Sequence, residues 1–520
     1  MTLSLDRLWS RAERYLAEQQ LAPARATLES IVVHYPNQPR AHLVLGGLAW
    51  KQDRIRDSIA CALGAARCEI NHPDLVRDVI AALIQVGEAA EASRMFDHPL
   101  LSRERLDLPL LMGLSGQAQA NGEHERALAY LERARGAGAE GADYLSYLGV
   151  QLTFNGRMRD AERALETCAR LNPAAGRAAL ILSRLHKQTP QRNHLDNLRA
   201  GLARVQLGSE EHAALEFARY KELEDLCRHG EAWTALVNAN RIMHGLLPHE
   251  PVAESASVER LLEATAAWTP PAVTTHNERP TPVFIVGMPR SGTTLLDRIL
   301  SNHSEVADAG ELSDFGRQLR WAVDHLTPLL PDQEALDRLA GVDFPELGRR
   351  YLRQTQWRAG GKAFYVDKLP ANWVVSGLIA RALPGAPILH MVREPMDVCF
   401  SNWRAMFGDS YPYSYDMVAL AQHYVAYRRV MAHWHRVFPG RILDIAYRDL
   451  VSDPERTARK VFAFCGLAFE PGCIDVTRNE QKIATLSMVQ AREPIHARGN
   501  DQWRAYAEWL TPLQDALASS

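Results

Sequence analysis

Between Phe284 and Leu300 the chain reads Phe-Ile-Val-Gly-Met-Pro-Arg-Ser-Gly-Thr-Thr and continues Leu-Leu-Asp-Arg-Ile-Leu. Gly287 and Gly292 have the spacing of a nucleoside triphosphate loop, and Thr294 stands where that loop carries its hydroxyl. The lysine position, however, holds Thr293. The segment therefore offers a cradle for a different phosphorylated donor. Backbone amides from Met288 to Thr293 and the start of the following helix favour an anion. Ser291, Thr293 and Thr294 add hydroxyl donors, and Arg290 adds a planar cationic fork.

Other residues able to do chemistry stand at the ends of short apolar runs. Asp367-Lys368 follows 364–366, Arg393-Glu394 follows 387–392, and Tyr447 follows 442–446. With 283–286, these runs have the length and branching of buried strands. Helical stretches at 373–382, 396–407, 416–436 and 455–465 lie among them. Strands spaced by helices predict an α/β domain whose parallel sheet holds its ligand at the carboxyl edge. Polar residues closing successive strands then fall into one shared site.

The first half follows a different rule. Asn-Gly pairs at 121–122 and 155–156 are 34 residues apart, and in the same register Ala127 matches Ala161, Leu131 matches Leu165 and Ala134 matches Cys168. Small residues there let the two helices of a hairpin approach, and Asn-Gly supplies the turn. Residues 144–173 resemble a tetratricopeptide repeat, and about four such units fit between residues 5 and 173. Residues 175–247 are helical but less regular. The expectation is a multidomain chain: an all-α solenoid over 1–250, a proline-punctuated linker over 251–280, and an α/β domain over 281–520 with a P-loop-like nucleotide site. Such a solenoid serves either as a scaffold and pairing surface or as a groove for a protein or peptide, and the residues leave both open.

The 520 residues carry 59 basic and 62 acidic side chains, a net charge of −3 that argues against a dedicated nucleic-acid binder. The seven cysteines form no Cys-x-x-Cys pair and suit a reducing compartment. No signal pattern opens the chain and no apolar run reaches the roughly 20 residues of a membrane span, so cytoplasmic residence is expected. His390, His423, His433 and His435 are scattered along a strand and a helix, so no metal is implied.

With these residues in view, the second half resembles sulfotransferases that use 3′-phosphoadenosine 5′-phosphosulfate. It is nearest to tyrosylprotein sulfotransferases and to bacterial proteins that join tetratricopeptide repeats to such a domain. Pro289, Arg290, Ser291, Gly292, Thr293 and Thr294 match the family's loop for the 5′-phosphosulfate. Arg393 and, eight residues on, Ser401 match its 3′-phosphate motif. The resemblance further implies that Glu311, in Ala309-Gly-Glu-Leu312, is the general base, with Glu305 as a competitor nearby. It makes Lys368 and Ser487 the groups that steady the sulfonyl and leaving phosphate, alongside Arg290. Tyr447 becomes a nucleotide contact, and Arg498-Gly499 a segment closing over the nucleotide.

The implied reaction is in-line transfer of a sulfonyl group to an acceptor hydroxyl, best a protein or peptide tyrosine, with 3′,5′-adenosine diphosphate as product. Glycan, lipid and small phenol acceptors stay open, as does a homodimer. A kinase or nucleoside triphosphatase would need the missing lysine. A non-catalytic adaptor would leave Glu311 and Lys368 without a task.

Overall fold

The computed structural model describes residues 4–103, 105–271, 279–478 and 494–519. The chain forms two compact units, each drawing on two separate stretches: Met1–Gly138 with Ser313–Trp357, and Ala139–Leu312 with Arg358–Ser520. Among the described residues, no helix is long and apolar enough to cross a membrane.

The first unit is all-helical. Leu5–Ala17 pairs with Leu21–His34, Pro39–Lys51 with Ile55–Arg67, Pro73–Val86 with Ala89–Met95, and Leu108–Ala120 with His124–Gly136. Close approach explains the small residues. A Cβ on Gly46 would lie 3.2 Å from the Cβ of Cys61 in the facing helix. The Asn121-Gly122 turn forms with Gly122 at φ +77°, and Asn121 Nδ2 donates to the Ala89 carbonyl (3.2 Å) of the preceding pair. Helices Asp314–Val323 and Phe344–Thr355 complete this unit. Phe315 packs on Tyr351 there, and the buried Glu88 accepts from Arg350 and from Gln354 Nε2 (2.6 Å).

The second unit begins with seven more helices, from Ala142–Phe154 to Pro251–Thr265. Residues 251–265, in the expected linker where a helical piece over 258–267 is also read, form a packed helix that begins earlier than that piece. Pro251 lies in its first turn, where a missing amide hydrogen is harmless. Val258 and Leu261 are buried, and Thr265 Oγ1 reaches His433 Nε2 (2.7 Å) on the long helix Met417–Val437.

Five strands follow: β1 (Thr281–Gly287), β2 (Val306–Asp308), β3 (Phe364–Asp367), β4 (Ile388–Val392) and β5 (Ile442–Ala446). All pair in parallel, in the order β2-β3-β1-β4-β5. The chain builds one flank through β2 and β3, then crosses β1 to build the other through β4 and β5. That reversal places a crevice at the carboxyl end of β1. Every residue of β1 is buried, as a strand covered on both faces requires. Leu296 and Ile299 of helix Thr293–Ser301 pack with Val283, Ile285, Met391 and Ile445. Burying each such side chain stabilises the layer by about 1.5–3 kcal/mol.

Candidate active site

The loop after β1 is held in a shape that only its own residues fit. Gly287 has φ +146°, and a Cβ there would lie 2.6 Å from the Met391 carbonyl oxygen on β4. Gly292 has φ +106°, and a Cβ there would strike the Tyr447 ring at 2.4 Å. Arg290 also adopts a left-handed conformation, at φ +66°. Asn402 Nδ2 clamps the loop by donating to the Pro289 carbonyl (2.7 Å). Helix Thr293–Ser301 starts here without a side-chain cap, which leaves its first amides to the loop interior. Ser291, Thr293 and Thr294 are all buried, and Ser291 Oγ has no hydrogen-bond partner.

Two arginines cross this loop. Arg393, just past β4, donates from Nη1 to the Arg290 carbonyl (2.8 Å) and from Nη2 to the Gly499 carbonyl. Its guanidinium lies 4.6 Å from the centre of the Tyr447 ring, in cation–π range. Arg290 Nε donates to Ser401 Oγ (3.4 Å). The neighbourhood is strongly cationic. Burial, then repulsion from Arg404, Arg184 and Arg393, pushes Arg290 down to about 9. Burial likewise lowers Arg393. Arg404 keeps its charge beside Glu224 (3.1 Å).

The second corner lies at the ends of β2 and β3. Lys368 is 1% exposed and donates from Nζ to Glu311. A tight turn sets that carboxylate: Asp308 Oδ1 accepts from the Gly310 amide (2.8 Å), and the Gly310 carbonyl accepts from the Lys368 amide (2.9 Å). Burial opposes the ammonium charge, but Glu311, Asp297 and Asp308 outweigh it and raise Lys368. Asp297 shifts well upward through burial, with Asp308 adding to the rise.

Glu305 occupies the opposite edge. Its carbonyl accepts from the Phe364 amide at the start of β3 (3.0 Å), whereas Glu311 follows the carboxyl end of β2. Arg290, Ser291, Gly292, Arg393, Ser401, Tyr447 and Gly499 come together at the first corner, and Glu311 and Lys368 at the second. Arg498 is exposed, and its carbonyl accepts from Gln502 Nε2 (2.8 Å). Ser487 lies outside the described residues.

Several contributors escaped the sequence reading. Asn402 and Arg404 sit next to expected residues, yet their partners lie far along the chain. Asp297 looks like a solvent-facing charge on an amphipathic helix. An aromatic run, Phe407–Tyr411–Tyr413, leads to His423, stacked on Tyr413 at 3.5 Å. Burial and then the Glu311 carboxylate raise the Tyr411 hydroxyl. His390 and His435, read as scattered, converge on Asp444 at 2.7 and 2.8 Å.

Residues 282–471 match the family model described as "Sulfotransferase family". This segment is a sulfotransferase-family domain. An uncharacterized protein of Aquifex aeolicus (strain VF5) is 27% identical over 416 residues, 74% of this chain and 53% of that protein. Nodulation protein NoeE of Sinorhizobium fredii (strain NBRC 101917 / NGR234) is 26% identical over 259 residues, 44% of this chain and 60% of that protein. A candidate protein-tyrosine sulfotransferase of Caenorhabditis briggsae is 22% identical over 234 residues, 42% of this chain and 80% of that protein. The chain thus spans little more than half the length of the first two relatives. The sulfotransferase domain contains both corners of the site, apart from the Gly499 carbonyl.

Proposed function

We propose that the chain transfers a sulfonyl group from 3′-phosphoadenosine 5′-phosphosulfate to an acceptor hydroxyl. The observation that carries this reading is the pairing of a cationic loop corner with a lysine–carboxylate corner on one sheet edge. A donor with two separated anionic groups fits the loop corner. Ser291 Oγ and Arg393 Nε are buried there without hydrogen-bond partners, and anionic oxygens would satisfy both. The 5′-phosphosulfate would lie over Ser291, Thr293 and Thr294, and the 3′-phosphate between Arg393 and Ser401.

Glu311 would accept the proton of the acceptor hydroxyl as its oxygen bonds to sulfur. The bond from sulfur to the bridging oxygen breaks in the same step, and the charge passes to the departing phosphate. Lys368 has three N–H donors, so it can hold Glu311 and still donate to that bridging oxygen. Ser487 and Arg290 are assigned to the same charge.

The acceptor we favour is a tyrosine of a protein or peptide. Two observations support it: the aromatic run from Phe407 to Tyr413 within reach of the Glu311 charge, and the similarity to the Caenorhabditis protein. The helical hairpins would act as tetratricopeptide-type repeats that hold the polypeptide. The test is a transfer assay with full-length protein and donor labelled in the sulfonyl group, offered tyrosine peptides and saccharides in parallel. Label on tyrosine peptides supports the full reading. Label on saccharides alone keeps the transfer and overturns the acceptor. Hydrolysis of ATP without sulfonyl transfer overturns both.

A further inference from the structure

Side chains alternate across a strand, so neighbours on β4 face opposite ways. Leu389 and Met391 point into the layer shared with helix Thr293–Ser301. His390 therefore faces the other layer, where helix Met417–Val437 brings up Tyr427 and, near its end, His435. Asp444 is the register partner of His390 on β5. Three elements thus deliver three metal-binding side chains to one point.

We infer that His390, His435 and Asp444 form a binding site for a divalent transition-metal ion of the zinc class, with one coordination position open to solvent. The ligand atoms all lie within 4.8 Å of one another. Two imidazole nitrogens and a carboxylate oxygen form a common zinc ligand set, and three protein ligands leave a fourth position free. Tyr427 hydrogen-bonds to His390 Nε2, which fixes the ring and directs Nδ1 toward the other ligands. A partner on the far ring nitrogen is what metal-binding histidines characteristically have. Access is open on one side: His390 is 4% exposed, but His435 is 33% and Asp444 53% exposed. The ion would tie the edge strand β5 to β4 and to the long helix.

The test uses full-length protein without affinity-tag histidines, stripped with a chelator and titrated with Co²⁺ by absorption and Zn²⁺ by calorimetry. We expect one tight equivalent with the spectrum of four-coordinate Co²⁺. His435→Ala and Asp444→Asn should each weaken Zn²⁺ binding by about 100-fold or more, and Tyr427→Phe by about 10-fold, the range for partners of ligating histidines. His325→Ala, which dismantles the other candidate group of Asp53, His325 and Glu334, should leave that equivalent intact. Thermal melts in chelator identify any variant that fails to fold, and the remaining ligand variant then carries the test. The inference is overturned if wild type binds no more tightly than a folded His435→Ala or Asp444→Asn variant. Loss of the tight equivalent in His325→Ala overturns it equally.

Discussion

Two corners of one sheet edge handle charge in opposite ways. Around Arg290 and Arg393, cations repel one another; Arg393 Nη1 and Nη2 donate to carbonyls and Arg290 Nε to a hydroxyl. Around Lys368, a single buried ammonium stands among Glu311, Asp297 and Asp308. The first corner gathers cations that repel one another, and a bound anion would relieve that repulsion. The second is balanced within the protein, so it can redistribute a proton without importing a counter-charge. In the proposed reaction the cluster of cations is the place to bind, and the lysine held among carboxylates the place to react.

The contrast breaks most decisively at Glu311. Glu311→Gln should lower kcat by about 10²–10⁴-fold, the usual contribution of a positioned base, while affinity for 3′,5′-adenosine diphosphate stays within about twofold. Equal losses in both would erase the distinction between the corners. Arg393→Ala should do the reverse, weakening that nucleotide by about 10–100-fold, as loss of a charge-assisted bond worth about 1.5–3 kcal/mol implies. Calorimetry in low and high salt should show a shallower salt dependence for the variant.

Gly292→Ala tests whether the loop's shape is fixed by the ring above it. The new methyl meets Tyr447 in a left-handed backbone, so a stability loss of about 1–3 kcal/mol is expected by denaturant unfolding. The smallest effect concerns Asp297. A carboxyl whose pKa rises on folding costs stability above its unfolded pKa, near 3.8, because the folded state resists its ionisation. Asp297→Asn removes that cost. The variant should melt about 2–4 °C higher at pH 7, the shift about 1 kcal/mol produces in a domain of 150–250 residues. It should show no gain at pH 3.

Much of the sheet was legible because β1, β3, β4 and β5 are apolar runs ended by polar residues. β2 is only Val306-Ala-Asp308, too short for any periodicity, and it exists because β3 pairs with it. Arg393 stood out at a strand end, and the helix read over 455–465, after the strand 442–446, followed from the same alternation. Asp297 did not stand out, because helix Thr293–Ser301 is buried on nearly every side and its charged residues break the amphipathic rule. Arg404 reads locally as a solvated helix end. Its setting depends on Glu224, 180 positions earlier, and no local pattern reveals such a pair. The histidines looked scattered for the same reason: His390 and His435 meet Asp444 only once the sheet register and the long helix are set.

The stretch Ser313–Trp357 has a bearing on the order in which the protein can be made. It lies between Glu311 and Lys368 in sequence, yet it supplies the partners of Glu88, Gly87 and Asp53 in the first unit. The ribosome finishes Gly138 long before it reaches Trp357, 219 residues later (357 − 138). At roughly 5–20 residues per second this is a wait of about 10–45 s, during which the early helices hold a buried carboxylate without its arginine. A chain started at residue 281 meets the converse difficulty, since Phe315, Gln318 and Arg350 would emerge with no first unit to receive them. Excising the α/β half for expression therefore means carrying Met1–Gly138 along with it.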